Sequence, residues 1–146
     1  MTTPSVSTIF LDIVSAEAEI FSGKAQRVFV TGIVGELEIA PGHAPLLTGL
    51  LPGPIRFKDA SGKEDVVYVT GGILEVQPTV VTILADTVVR AKDFNEAEAI
   101  KAQQQAERML TDDKSSIDYA RARAELARAA GMLRAIREAR KKGKYQ

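Results

Sequence analysis

Apolar and polar positions follow two different rhythms along this chain, and the change falls near residue 90. Before it, short runs rich in β-branched and aromatic residues recur at 8–14, 26–30, 35–39, 55–58, 65–69 and 80–84. In the third run Leu37 and Ile39 alternate with Glu36 and Glu38, the period-two pattern of a strand with one wet face. Turn-forming residues separate the runs, at Ser22-Gly23-Lys24, Pro41-Gly42, Pro52-Gly53-Pro54, Ser61-Gly62 and Gly71-Gly72. Short strands at even spacing, with no helical pattern between them, predict an antiparallel sandwich or flattened barrel over residues 1–90.

Residues 91–146 keep a helical rhythm. Asn95 is placed to cap a helix of about 16 residues ending at Leu110, with Glu98 three positions on as its capping-box partner. The polar stretch 111–116 breaks the pattern, and Ser115 or Ser116 can cap a second helix that runs to Lys141. Tyr119, Ala122, Leu126, Ala129, Leu133 and Ile136 recur along it at spacings of three and four, matched on the first helix by Ala99, Ala102, Ala106 and Met109. A short connection between two such helices predicts an antiparallel hairpin. Its seam is mostly alanine. Each buried methyl contributes on the order of 0.8 kcal/mol where a leucine gives about 1.5–3, so closing the hairpin gains little over its entropic cost. A hairpin held this weakly is suited to opening.

Composition sharpens the division. Nine of the eleven Gly and all six Pro precede residue 90. The 146 residues carry no net charge, but the charge is unevenly spread. Residues 93–118 hold three basic and seven acidic side chains, net −4; residues 119–146 hold nine and two, net +7. The last helix is therefore a basic rod, with Arg121, Arg123, Arg128, Arg134, Arg137, Arg140, Lys141, Lys142 and Lys144, ready to hold an acidic first helix or an acidic partner. Overall neutrality and the lack of an aromatic stacking pattern argue against nucleic acid. Met1 to Ser5 lack the blocks of a signal peptide and no apolar run approaches a membrane span, so a cytoplasmic protein without bilayer insertion is expected.

Little here is equipped for catalysis. The absence of Cys excludes disulfides, thiolate nucleophiles and Cys-ligated metals. His43, the single His, has no evident nucleophile or orienting Asp in sequence and suits a turn or interface better than a general base. Glu36 and Glu38 share one strand face side by side, not across a cleft as glycosidic chemistry requires, so a polar contact surface is the better reading. Gly23-Lys24 and Gly62-Lys63 lack the rest of a phosphate loop.

Three blocks carry a resemblance: Leu11-Asp12-Ile13-Val14-Ser15-Ala16-Glu17; Gly35-Glu36-Leu37-Glu38-Ile39-Ala40-Pro41-Gly42-His43-Ala44-Pro45-Leu46-Leu47; and Gly71-Gly72-Ile73-Leu74-Glu75-Val76-Gln77-Pro78. Together with Phe21-Ser22-Gly23 and Leu84-Ala85-Asp86-Thr87, they strongly resemble the epsilon subunit of the bacterial rotary ATP synthase, end to end. The resemblance implies a ten-stranded sandwich followed by a two-helix hairpin, in a rotor subunit without catalytic residues of its own. It implies that Glu36 faces the polar loops of the c-ring and that His43, Pro41 and Ala44 face the gamma subunit. Coupling of c-ring rotation to the catalytic head would run through gamma. The hairpin would block hydrolysis when extended, its Arg121, Arg123, Arg128, Arg134, Arg137 and Arg140 then meeting the catalytic alpha and beta subunits. The location implied is peripheral, on the cytoplasmic face of the bacterial inner membrane. Some members bind regulatory ATP through an Ile/Leu-Asp-x-x-Arg-Ala motif. Here the matching stretch is Phe94-Asn95-Glu96-Ala97-Glu98-Ala99. Asn95 replaces the Asp and Glu98 replaces the Arg, which removes a bidentate phosphate donor, so ATP binding is expected to be weak or lost and no cofactor is expected. A coupling subunit with an inert hairpin, or a free-standing adaptor for acidic partners, are the alternatives.

Overall fold

In a computed structural model, residues 6–111 and 116–143 are described; Met1 to Ser5, the polar connection 112–115 with its candidate cap Ser115, and the tail from Lys144 lie outside them. Nine strands precede the helices: β1 (Ile9–Ser15), β2 (Glu19–Gly32), β3 (Gly35–Ile39), β4 (Leu46–Leu50), β5 (Gly53–Asp59), β6 (Glu64–Val69), β7 (Gly72–Val76), β8 (Val80–Ala85) and β9 (Val88–Arg90). A single 3-10 turn at Ala91–Asp93 leads into α1 (Glu96–Thr111) and, after the connection, α2 (Ser116–Lys141).

The sandwich is organised by β2. Its first half pairs β1, with Leu11 opposite Gly23, and its second half pairs β3 and β5. A bulge between Ala25 and Arg27 turns the strand from one layer to the other. One layer is β1, β8, β7 and β4; the other is β3, β2, β5, β6 and β9. Leu11, Ile13, Val28, Ile39, Ile55, Leu74, Val76, Val81 and Ile83 fill the space between them.

Two expectations are corrected. The described residues form nine strands, where the resemblance implied ten, and Ser22-Gly23-Lys24 is not a turn: these residues sit inside β2, in register with β1. The sheet is also not wholly antiparallel. β1 and β8 run parallel, Leu11 beside Val81 and Ile13 beside Ile83, which closes the barrel across its first and eighth strands.

The helical prediction holds at its cap: the Glu98 N–H donates to Asn95 Oδ1 at 3.1 Å, starting α1 one residue later. Ala99 and Ala106 of α1, and Ala122, Ala129 and Ile136 of α2, are buried. Tyr119 and Ala102 are not part of the seam; both are exposed. α2 has a second apolar face. Ala135 and Ala139 pack with Val66 and Tyr68, so α2 lies between α1 and the strands β5 and β6.

Candidate functional site

β6 explains why the hairpin docks where it does. Val66, Val67, Tyr68 and Val69 are all buried. An unbroken apolar run is what a strand needs when both of its faces are covered. Val67 and Val69 point into the sandwich, while Val66 and Tyr68 join Ala91, Phe94, Ala99, Ala135, Ile136 and Ala139 in a second, smaller cluster. Half of the buried members of that cluster are alanines, so the docking surface is modest in transfer energy.

Two backbone features fix the register of α2 on the sheet. Gly131 is buried against the chain at Pro52 and Gly53, where a β-carbon would stand 2.6 Å from the Pro52 carbonyl oxygen. Glycine in a helix interior costs about 1 kcal/mol relative to alanine, and this close approach accounts for its presence. The Tyr68 hydroxyl donates to the Arg128 carbonyl oxygen at 2.9 Å. Burial pushes the Tyr68 phenol up to about 12, an effect that Arg128 opposes and Glu125 reinforces.

Around this small core the polar links lie at the rim. Arg134 donates to the Pro52 carbonyl at 3.0 Å, Arg56 pairs with Glu138 at 3.6 Å, and Lys142 pairs with Glu64 at 2.7 Å. Arg140 pairs with Glu96 across the two helices. Hydrogen bonding from Lys142 lowers the Glu64 carboxyl below its ordinary value. Links of this kind, half in water, are each weak, because water screens the charges. The basic row therefore divides: Arg134 and Arg140 hold the docked state, Arg128 pairs with Glu125 on its own helix at 3.0 Å, and Arg121, Arg123 and Arg137 are exposed.

The other sequence candidates fall in two places. Glu36 is exposed on β3 and, with Glu38, forms one wall of a groove of about 480 Å³ whose far wall is Arg134 and Arg137 of α2. His43 lies in the turn between β3 and β4, beside half-buried Pro41 and exposed Ala44. Its Nδ1 is 2.7 Å from the Ala44 carbonyl oxygen; a carbonyl only accepts, so Nδ1 carries the proton. The Gly42 N–H donates to the Pro78 carbonyl at 3.1 Å, holding this turn against the β7–β8 connection. Glu36 and His43 thus belong to different surfaces, and no base–nucleophile pair is assembled around His43 by the hydrogen bonds it makes. Asn95 and Glu98 sit at the start of α1, with the Asn95 side chain occupied as the cap. Among the described residues no group of His, Asp and Glu is placed to hold a metal ion, and no helix is long and apolar enough to cross a membrane.

Comparison with known proteins agrees with this architecture across both the sandwich and the helices. The family described as ATP synthase, Delta/Epsilon chain, beta-sandwich domain matches residues 8–91, and its long alpha-helix domain matches residues 92–137. The ATP synthase epsilon chain of Chromohalobacter salexigens is 54% identical over 132 residues, covering 90% of this chain and 94% of that one. The chain belongs to the ATP synthase epsilon-chain family. The epsilon chain of Nitrosococcus oceani is 53% identical over 135 residues, 92% of this chain and 96% of its own. Among solved structures, a chain of the Euglena gracilis mitochondrial ATP synthase superposes with a TM-score of 0.80 at 18% identity, covering 91% of this chain and 82% of that one. A chain of the Tetrahymena thermophila mitochondrial ATP synthase central stalk and c-ring gives 0.64 at 17%, covering 91% and 99%. At those identities the likeness is one of fold. Epsilon chains are non-catalytic subunits, in keeping with the family match.

This epsilon chain has one further surface that the sequence patterns did not single out. On the outer face of β1, β8 and β7, Val14 lies beside Leu84 and Leu84 beside Ile73, and Phe10 lies beside Val80. Leu84 and Ile73 are 54% and 49% exposed, and Leu47 on β4 is 70% exposed. Between the apolar rows runs a polar one, Asp12, Thr82 and Glu75. Asp12 Oδ1 is shielded from water and has no hydrogen-bond partner among the described residues. The signal was available: in residues 9–14 and 80–84 apolar residues occupy both faces of the strand, more than a single core requires.

Proposed function

We propose that this chain is a central-stalk rotor subunit that couples c-ring rotation to the catalytic head through the gamma subunit, and that its helical hairpin brakes ATP hydrolysis when it leaves the sandwich. The observation that carries the proposal is the way α2 is docked: a small, alanine-rich cluster against β6, with the remaining links as exposed ion pairs at the rim. A surface held this way has a free energy of docking small enough for partner contacts to reverse, since a difference of a few kcal/mol decides a two-state population.

In this reading Glu36 faces the polar loops of the c-ring. Pro41, His43 and Ala44 face gamma, and the adjoining apolar rows around Asp12 suit the same partner. When α2 extends, Arg121, Arg123, Arg128, Arg134, Arg137 and Arg140 meet acidic segments of the catalytic subunits, and Arg134 and Arg140 are freed for this by release of Pro52 and Glu96. The chain would work peripherally on the cytoplasmic face of the bacterial inner membrane. Regulatory ATP is held weakly or not at all, because the first turn of α1 presents Glu96 and Glu98.

The test is ATP hydrolysis by a catalytic complex depleted of this subunit, with the full chain or a chain ending at Lys92 added back. Suppression by the full chain alone supports an inhibitory arm. Binding of both without suppression leaves a coupling subunit with an inert hairpin. Failure of both to bind overturns the proposal.

A further inference from the structure

The groove between β3 and α2 is assembled from two parts of the chain that the proposed function gives to different partners. Glu36 and Glu38 stand on the β3 wall, and Arg134 and Arg137 on the α2 wall. Most of its charges are already satisfied. Glu38 pairs with Arg27 at 3.4 Å, Arg134 is spent on the Pro52 carbonyl, and Arg56 lies between Glu138 and the face of Phe29, 4.4 Å from the ring centre. Among the described residues this leaves one carboxylate, Glu36, and one guanidinium, Arg137, without an ion-pair or hydrogen-bond partner, on opposite walls of one open groove.

We infer that the c-ring-facing site is composite: Glu36 takes a cationic group of a polar ring loop while Arg137 of the docked α2 takes an acceptor on the same loop. This inference rests on the proposed role of Glu36. Two walls of opposite sign recognise a loop that carries a donor cation beside an acceptor, which neither wall alone would orient. The consequence is a linkage between ring and hairpin. A loop seated in the groove touches α2 only in its docked position, so ring engagement stabilises docking, and by reciprocity docking strengthens ring engagement. Arg137 cannot serve the ring and the catalytic head at once. Ring engagement therefore biases the hairpin toward the docked state and makes its extension to the head less favourable, without forbidding it.

The experiment measures binding of full-length chain to a detergent-solubilised complex of c-ring, gamma and catalytic subunits depleted of this subunit, with a fluorescence pair across sandwich and α2 reporting docking. Glu36→Gln and Arg137→Gln are each expected to weaken binding about two- to fivefold, the range of single exposed charge pairs. Their double variant should lose less than the product of the two single effects, as expected when both residues hold one loop. Lys101→Gln, an exposed charge on α1, is the control. Addition of the complex should raise the docked fraction of the wild-type chain and raise it less for Arg137→Gln. If Glu36→Gln weakens binding and Arg137→Gln does not, the composite site is overturned while the role of Glu36 stands. If neither weakens binding, the assignment of Glu36 to the ring fails and the inference fails with it.

Discussion

A β-carbon on Gly131 would stand 2.6 Å from the carbonyl oxygen of Pro52 and 2.7 Å from its carbonyl carbon. Both are backbone atoms, so neither can rotate away, and α2 or the Pro52–Gly53 backbone must move to relieve the contact. Alanine at this position acts in opposite directions on the two states. It favours the helix itself by about 1 kcal/mol and opposes the docked arrangement by about 1–3 kcal/mol, the usual range for overpacking. Gly131→Ala is thus expected to leave helix content unchanged or higher while lowering the docked fraction. Circular dichroism with a fluorescence pair across sandwich and α2 checks both halves, and in the assembled complex stronger inhibition of hydrolysis is expected. An unchanged docked fraction would mean that the approach to Pro52 does not limit docking.

Tyr68 gives docking a dependence on alkaline pH. Its phenol is 3% exposed and pushed up to about 12 by burial, against 10.0 when it is free in water. The docked state therefore keeps the proton where the undocked state has lost it. The contribution of this group is complete below pH 10 and declines as pH rises from about 10 through 12. The informative quantity is the difference from Tyr68→Phe, which lacks the step. The phenylalanine variant should also dock more weakly at neutral pH, by about 0.5–1.5 kcal/mol for the lost hydrogen bond to Arg128. Equal alkaline profiles for the two proteins would show that Tyr68 stays buried when the hairpin leaves.

Much of this was legible in the sequence where one physical constraint acted alone. Leu37 and Ile39 alternate with glutamates because β3 has one wet face, and Asn95 caps α1 because its side chain serves a free N–H of the first turn. The predictions failed where two constraints met. Ser22, Gly23 and Lys24 have turn chemistry, yet pairing with Asp12, Leu11 and Phe10 of β1 holds them in a strand. β4 and β7 were not predicted, as Gly49 and Gly72 sit within or at the edge of short runs. Tyr119 fits the helical period but lies at the end of α2 remote from the sheet-facing cluster, where it is 48% exposed. For the candidate site, sequence supplied the chemistry of Glu36 and of the basic row. That Glu36 and Arg137 line one groove depends on how α2 crosses the sheet, and that was not encoded in any local pattern.

ATP is expected to bind poorly at the start of α1. The Asn95 side chain is committed to the Glu98 N–H, Glu96 is paired with Arg140, and Glu98 adds a second carboxylate to the helix N-terminus, where a phosphate would otherwise be favoured. Titration calorimetry of the full chain with micromolar ATP should give no saturable heat. The pair Asn95→Asp with Glu98→Arg should create measurable binding by supplying a guanidinium. Tight binding by the unaltered chain would overturn the expectation.

The rim of the docked hairpin should respond to salt and to acid in ways its apolar core does not. Glu64 meets Lys142 at 2.7 Å, and the hydrogen bond from that lysine lowers its carboxyl below 4.5. For a carboxylate depressed in the docked state, the contribution is present above 4.5 and is lost as pH falls through the lower, docked value. Arg140–Glu96 and Arg56–Glu138 are likewise partly exposed, so all three pairs are open to screening by salt. Raising ionic strength from about 0.01 to 1 M shortens the screening length from roughly 30 to 3 Å, and the docked fraction should fall over that range. Glu64→Gln should flatten part of the salt response and remove the acid step assigned to Glu64, leaving the alkaline step of Tyr68 in place. A Glu64→Gln protein with the full wild-type acid profile would show that the Lys142–Glu64 pair contributes nothing to keeping the hairpin down.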